Sequence, residues 1–194
     1  EVYDYPEEFF KERIHSIRRP KPDDFQIKEA AELIKKSKKP IIIAGGGVLY
    51  SDATSELSDF AKKHNIPVTQ TVMGYSSIKK DHSHYLGAIG GLGSKAANNL
   101  SKETDTAIAI GTKLADFTTG SWANFENPNF KLVSINAARF DANKHMAQAV
   151  VGDAKVSLIE LSQALGSWKA DDSWYKKSRA ELKDCLLYTS PSPR

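Results

Sequence analysis

The chain has 194 residues with 27 basic and 24 acidic side chains, a net charge of +3, and 40% of its residues are hydrophobic. That length suits one domain with an appendage, and this composition is globular rather than disordered, fibrous or membrane-embedded. The even charge balance excludes nucleic acid as the default partner. The single Cys185 excludes a disulfide framework and a cysteine-based zinc site, so a reducing, cytoplasmic compartment is expected. The longest strongly apolar stretch, at residues 40–44, is far too short for a membrane span. Nothing after Glu1 resembles a signal peptide, and the absence of an initiating Met points to a piece of a longer chain.

Residues 1–24 mix Tyr3, Tyr5, Phe9 and Phe10 with Arg13, Arg18 and Arg19 before Pro20 and Pro22. Two prolines around a lysine keep backbone extended, so this segment is expected to be a linker arm. Ile27, Ala30, Ala31, Leu33 and Ile34 recur at helical spacing, and Pro40 stops that helix. Ile41, Ile42, Ile43 and Ala44 form a continuous apolar run, as in a strand covered on both faces. Gly45, Gly46 and Gly47 predict a turn, after which Ser51 or Asp52 can cap a helix carrying Leu57, Phe60 and Ala61. A strand at 66–71, a glycine-containing loop, a helix at 95–100 and a strand at 106–110 ending on Gly111 follow. Two more strands are expected at 131–136 and 148–151, and Asp153 caps a last helix bearing Val156, Leu158, Ile159, Leu161 and Leu165. Strands separated by helices make parallel βαβ units, hence a doubly wound, mostly parallel, Rossmann-like α/β sheet with helices on both faces. Residues 25–166 form this domain and 167–185 begin a linker. The abrupt change of character at 186–194 completes no expected element and reads as a non-native tail.

Ligands of such sheets sit beyond the carboxyl ends of the strands. Gly45, Gly46, Gly47 and Gly111 fall on that edge, where glycine admits close approach of a phosphate and frees backbone amides. With Thr112, Lys113 and Asp116 they form the candidate cofactor-binding set; the ligand-free alternatives are a plain turn for the glycines and a cap for Asp116. Named nucleotide motifs fail. The third glycine of a dinucleotide fingerprint would fall at Tyr50, and Thr69, Gln70 and Thr71 stand where a ribose-binding carboxylate belongs. The order Gly93-Ser94-Lys95 is not a P-loop. His82-Ser83-His84 lacks a third metal ligand and reads as a solvated loop, while Trp122, Phe125 and Phe130 read as packing. No residue is nominated as catalytic or metal-ligating.

The segments P-I-I-I-A-G-G-G-V (40–48), H-N-I-P-V-T-Q-T (64–71), L-G-A-I-G (86–90), A-I-A-I-G-T-K (107–113) and V-V-G-D-A-K-V-S-L (150–158) stand in an order that resembles the central domain of thiamine-diphosphate-dependent enzymes. The arm Y-D-Y-P-E-E-F-F with R-I-H-S-I-R-R, and the loop D-F-T-T-G-S at 116–121, are similar to the branch that opens a cyclic 1,2-diketone by carbon–carbon hydrolysis in inositol catabolism. The resemblance implies a central, non-catalytic fragment, inactive alone, whose parent uses thiamine diphosphate and Mg2+. Its partners would be the missing amino- and carboxyl-terminal domains of the same chain, in a homo-oligomer. The family's third domain holds magnesium and diphosphate with Gly-Asp-Gly followed by Asn-Asn. Here Ala154 follows Gly152-Asp153, and Asn98-Asn99 lies upstream, so Asp153 is expected to be a helix cap and the asparagines helix surface. The resemblance also implies ADP or FAD at the carboxyl edge. Lys113, standing where flavin-binding members carry arginine, speaks against flavin but can still meet a phosphate as a point charge. A stand-alone nucleotide-binding module or a structural assembly module is the alternative.

Overall fold

The computed structural model describes residues 2–189, with backbone alone for 185–189, and its first long helix begins where the prolines of the arm end. Helix α1 (Asp24–Lys35) is capped by Asp23, whose side chain accepts from the N–H groups of Phe25 and Gln26. Strand β1 (Pro40–Ala44) is buried at every position. After it come α2 (Gly46–Tyr50) and α3 (Thr54–His64), the latter ending on Asn65 in the left-handed conformation. Strands β2 (Val68–Gln70) and β3 (Tyr85–Ala88) precede α4 (Lys95–Glu103) and β4 (Thr106–Ile110). The second half runs α5 (Asp116–Thr119), β5 (Lys131–Asn136), α6 (Arg139–Ala142), β6 (Gln148–Val151), α7 (Ala154–Leu165) and α8 (Asp172–Thr189).

All six strands are parallel, in the order β3-β2-β1-β4-β5-β6. This is the doubly wound sheet the alternating pattern predicts, with its switch point between β1 and β4. Strand alternation splits the core in two. Ile42, Ala44, Ile108, Ile110, Val133 and Ile135 face the layer of α1, α3 and α7, whereas Ile41, Ile43, Ala107, Ala109 and Leu132 face α4 and α8. No helix among the described residues is long and apolar enough to cross a membrane.

Three local expectations are corrected. Neither Ser51 nor Asp52 caps α3, which follows Ala53 without a side-chain cap; the Ser51 hydroxyl donates instead to Asp153. The glycine-containing loop holds β3, a short edge strand. Beyond residue 171 the expected linker is helix α8, with Trp174, Ser178 and Leu182 buried four residues apart. Its backbone continues through Thr189, past the start of the expected tail. Residues 190–194 of that tail lie outside the described residues.

Candidate functional site

At the switch point the loops leaving β1 and β4 are bonded to each other. Gly45 N–H donates to Ile110 O at 2.8 Å and Gly47 N–H to Gly111 O at 2.9 Å. A Cβ on Gly45 would stand 2.3 Å from Gly111 O, and one on Gly47 2.5 Å from Gly111 Cα. Gly46 faces Met73 O, at 3.0 Å from the position of such a Cβ. Gly111 has φ +61°, a conformation that L side chains rarely adopt. These glycines therefore serve loop-on-loop packing, and protein backbone fills the room their missing side chains leave. Thr112 is half-buried: its Oγ1 accepts from Leu114 N–H at 3.2 Å and its carbonyl from Asn136 Nδ2 at 3.3 Å. Lys113 is exposed and enters no ion pair among the described residues. Asp116, also exposed, is the first residue of α5, whose N-cap is Ala115. The structure thus gathers Gly45, Gly46, Gly47, Gly111 and Thr112 at one point, with Lys113 and Asp116 on the exposed loop that follows.

Apolar side chains surround this edge. Val72, Met73, Tyr75, Leu92, Phe117 and Phe140 are all more than half exposed, and they lie in the segments that follow β2, β3, β4 and β5. Periodicity cannot flag them, because they stand in loops and in helical turns of three or four residues, too short to show a repeat.

Asp153 has no capacity left for a metal. Its Oδ1 accepts from the N–H groups of Lys155 at 3.0 Å and Val156 at 3.2 Å, capping α7 as expected. Its Oδ2 accepts from Ser51 Oγ at 2.8 Å and pairs with Arg19 Nη1 at 3.1 Å. Arg19 also donates to Ser51 O, and Asp153 N–H donates to Pro20 O at 2.8 Å, so the arm is clasped to the domain here. Among the described residues no group of three or more His, Cys, Asp or Glu could hold a metal. Thiamine diphosphate with its magnesium does not fit the residues present.

Two readings of polar side chains change. Asn98 is more than helix surface: its amide bonds both N–H and C=O of Gly90 at 3.0 Å and pins the turn after β3. His82-Ser83-His84 is not a solvated loop. His84 is 6% exposed, with Nε2 3.1 Å from Asn65 Oδ1, Nδ1 2.9 Å from Ser83 Oγ and its ring 4.6 Å from Tyr175. Burial, then the charges of His82, Arg179 and Lys62, push its pKa down to about 4. The packing read for Trp122, Phe125 and Phe130 is seen, with ring centroids 4.6–6.4 Å apart.

Residues 27–161 match the family described as thiamine pyrophosphate enzyme, central domain. The chain belongs to this family. The chain is 44% identical over 174 residues to the 3D-(3,5/4)-trihydroxycyclohexane-1,2-dione hydrolase of Clostridium perfringens strain 13, covering 90% of its own length and 27% of that protein. It is 46% identical over 165 residues to the protein of the same description from Clostridium tetani, covering 85% and 26%. For that of Clostridium botulinum strain Alaska E43 the identity is 42% over 187 residues, 96% of this chain and 28% of that one. The chain therefore spans about 27% of the length of the relatives it matches.

Proposed function

We propose that this chain is the central, non-catalytic part of a thiamine-diphosphate-dependent hydrolase that opens a cyclic 1,2-diketone by hydrolysing a carbon–carbon bond in inositol catabolism. The observation that carries this reading is identity of 42–46% to relatives described as trihydroxycyclohexane-1,2-dione hydrolases, sustained over 85–96% of the chain. In the parent, flanking domains of the same polypeptide bind thiamine diphosphate and Mg2+, and the cofactor supplies carbanion chemistry. This chain supplies a rigid sheet, an arm (1–24) clasped at Arg19, the central domain proper (25–166), and at 167–185 the start of the connection onward; 186–194 is foreign. The exposed apolar carboxyl edge supports the reading, because isolated domains rarely leave such surface to water without a neighbour for it. The parent is a cytoplasmic homo-oligomer.

Calorimetric titration of this chain with thiamine diphosphate and MgCl2 tests the division of labour. No binding heat is expected up to millimolar cofactor, and micromolar affinity would overturn the reading.

Lys113 favours a second reading. An exposed cation in no ion pair among the described residues, next to Thr112 at the switch point, suits a nucleotide phosphate, with Gly45, Gly46, Gly47, Gly111 and Asp116 on the same edge of the sheet. Titration with ADP and FAD decides. Binding that Lys113→Ala weakens supports the nucleotide, and silence at millimolar ligand removes it.

A further inference from the structure

Helix α8 is held down by a seam whose polar contacts centre on two buried histidines. His64, the last residue of α3, is fully buried. Its Nδ1 lies 2.7 Å from Trp168 O, an acceptor, so Nδ1 carries the proton. Its Nε2 then accepts from Ser162 Oγ at 3.1 Å, a hydroxyl that itself accepts from Lys63 Nζ at 3.0 Å. On the other side of the seam, Asn65 Nδ2 donates to Ala170 O at 3.2 Å and to Asp172 Oδ1 at 3.0 Å. That fixes the orientation of the amide, so its Oδ1 must accept from Nε2–H of His84, and His84 Nδ1 accepts from Ser83. Tyr175 of α8 lies against the His84 ring and donates to Ser83 O at 3.1 Å. Ala170 N–H donates to His64 O at 2.9 Å, closing the seam.

Burial favours the neutral form of both rings, which with these partners has one tautomer each and every ring nitrogen engaged. The charges around them are cationic: Lys63 and Lys169 face His64; Lys62, Arg179 and His82 face His84. Asp172 reaches the seam only through Asn65, and Asp59 and Asp81 face His82. A second proton on either ring would abolish an accepting nitrogen and place a buried cation beside others.

We infer that this seam is an acid-sensitive joint: protonation of His64 and His84 releases the 166–171 connection and α8 from a sheet that stays folded. The remaining anchors of α8, from Trp174 Nε1 to Pro40 O at 2.8 Å onward, then hold it more loosely, without the 166–171 connection fixed.

Hydrogen–deuterium exchange of this chain at pH 7 and pH 5, corrected for intrinsic rates, is the test. If His84 titrates near 6.5 when released and at about 4 when docked, the opening equilibrium of α8 rises roughly 20-fold over that interval. Protection in β1 and β4 should change far less. The double variant His64→Asn, His84→Gln keeps a donor at each bonded position and cannot be protonated, so its α8 protection should be the same at both pH values. NMR titration of the two imidazoles in the unmodified chain gives a readout independent of that variant's folding. Both rings should titrate together with the loss of α8 protection. Unchanged α8 protection at pH 5, imidazoles that titrate while α8 stays protected, or a double variant as pH-sensitive as the parent would overturn the joint.

Discussion

At residue scale the carboxyl edge rests on glycines that no other residue replaces cheaply, for two separable reasons. A Cβ at Gly45 or Gly47 collides with the backbone of Gly111, within 2.3–2.5 Å, and backbone cannot swing aside as a side chain can. Gly47→Ala is expected to cost about 1–3 kcal/mol by overpacking. Gly111→Ala adds a left-handed backbone worth roughly a further 1–2 kcal/mol. Gly166 isolates the backbone contribution: at φ +62° and ψ −120°, with nothing within 4 Å of a Cβ, Gly166→Ala should cost backbone strain alone, about 1–3 kcal/mol. Urea denaturation, with unchanged m, should place Gly111 above both Gly47 and Gly166; a negligible cost at Gly47 would deny that the two loops are in contact. Asp153 shows which residue roles could be read from sequence. Its cap to Lys155 and Val156 spans three residues and is legible as a local pattern. Its bonds to Ser51 and Arg19 cross 102 and 134 residues and leave no local mark. Asp153→Ala should therefore cost more than the ~1 kcal/mol of an ordinary cap, because Arg19 loses its partner. Trypsin should then cut the arm after Arg18 faster than in the parent chain, the observation that separates clasp from cap.

At the scale of elements, those that announced themselves had unbroken apolar runs or a full amphipathic period. The bounds of β4, β5 and β6 fall where short runs rich in Ile, Val, Leu and Ala put them, since a strand covered on both faces is mostly apolar. Strand β3 failed that test. It is four residues long, carries Gly87 at φ +107°, and pairs with β2 through a register shift between Val68 and Thr69. Gly87 has no side chain because Ser94 Oγ would stand 2.5 Å from its Cβ, so packing with α4 overrode strand propensity. Helix α8 hid for another reason. Its buried residues Trp174, Ser178 and Leu182 form a narrow stripe on an otherwise polar segment, too thin to stand out beside α1 or α7. The stripe nevertheless anchors it. Trp174 is 3% exposed in the second core layer and donates from Nε1 to Pro40 O. Trp174→Ala is expected to destabilise by about 3–5 kcal/mol, and Trp174→Phe by less, the lost hydrogen bond being worth roughly 1 kcal/mol. Thermal unfolding followed by circular dichroism would check both, and a neutral Trp174→Ala would mean that α8 is not part of the cooperative unit.

For the molecule as a whole, the fold was legible and the chemistry was not, and both follow from the same sheet. A repeating βαβ pattern needs only local periodicity, whereas the glycine turns fill one another's space and Asp153 caps its own helix, contacts that no local sequence pattern distinguishes from a ligand site. What the whole molecule does carry is a loss of stability on acidification. His64, His82 and His84 have pKa values lowered chiefly by burial. The folded chain therefore binds fewer protons than the unfolded one below about pH 6.5, so their contribution is complete above that value and lost on acidification, for His84 as pH falls toward 4. Glu103 acts in the same direction lower down. The hydrogen bond from Lys177 is the main cause of its lowered pKa, with Lys39 adding to it, so its contribution is present above the usual carboxylate range and lost on further acidification. Keeping His84 neutral to about pH 4 is worth about 2 kcal/mol at neutral pH after allowance for solvent screening. In a chain of this size that lowers the thermal midpoint by roughly 5 °C between pH 7 and pH 5. Because burial rather than long-range charge holds the rings neutral, 0.5 M salt should leave the fall between pH 7 and pH 5 nearly intact, while it weakens the exposed Glu103 pairs below pH 5. Scanning calorimetry at the two ionic strengths separates these contributions. A fall in midpoint that salt abolishes would assign the acid sensitivity to surface charge and remove it from the buried histidines.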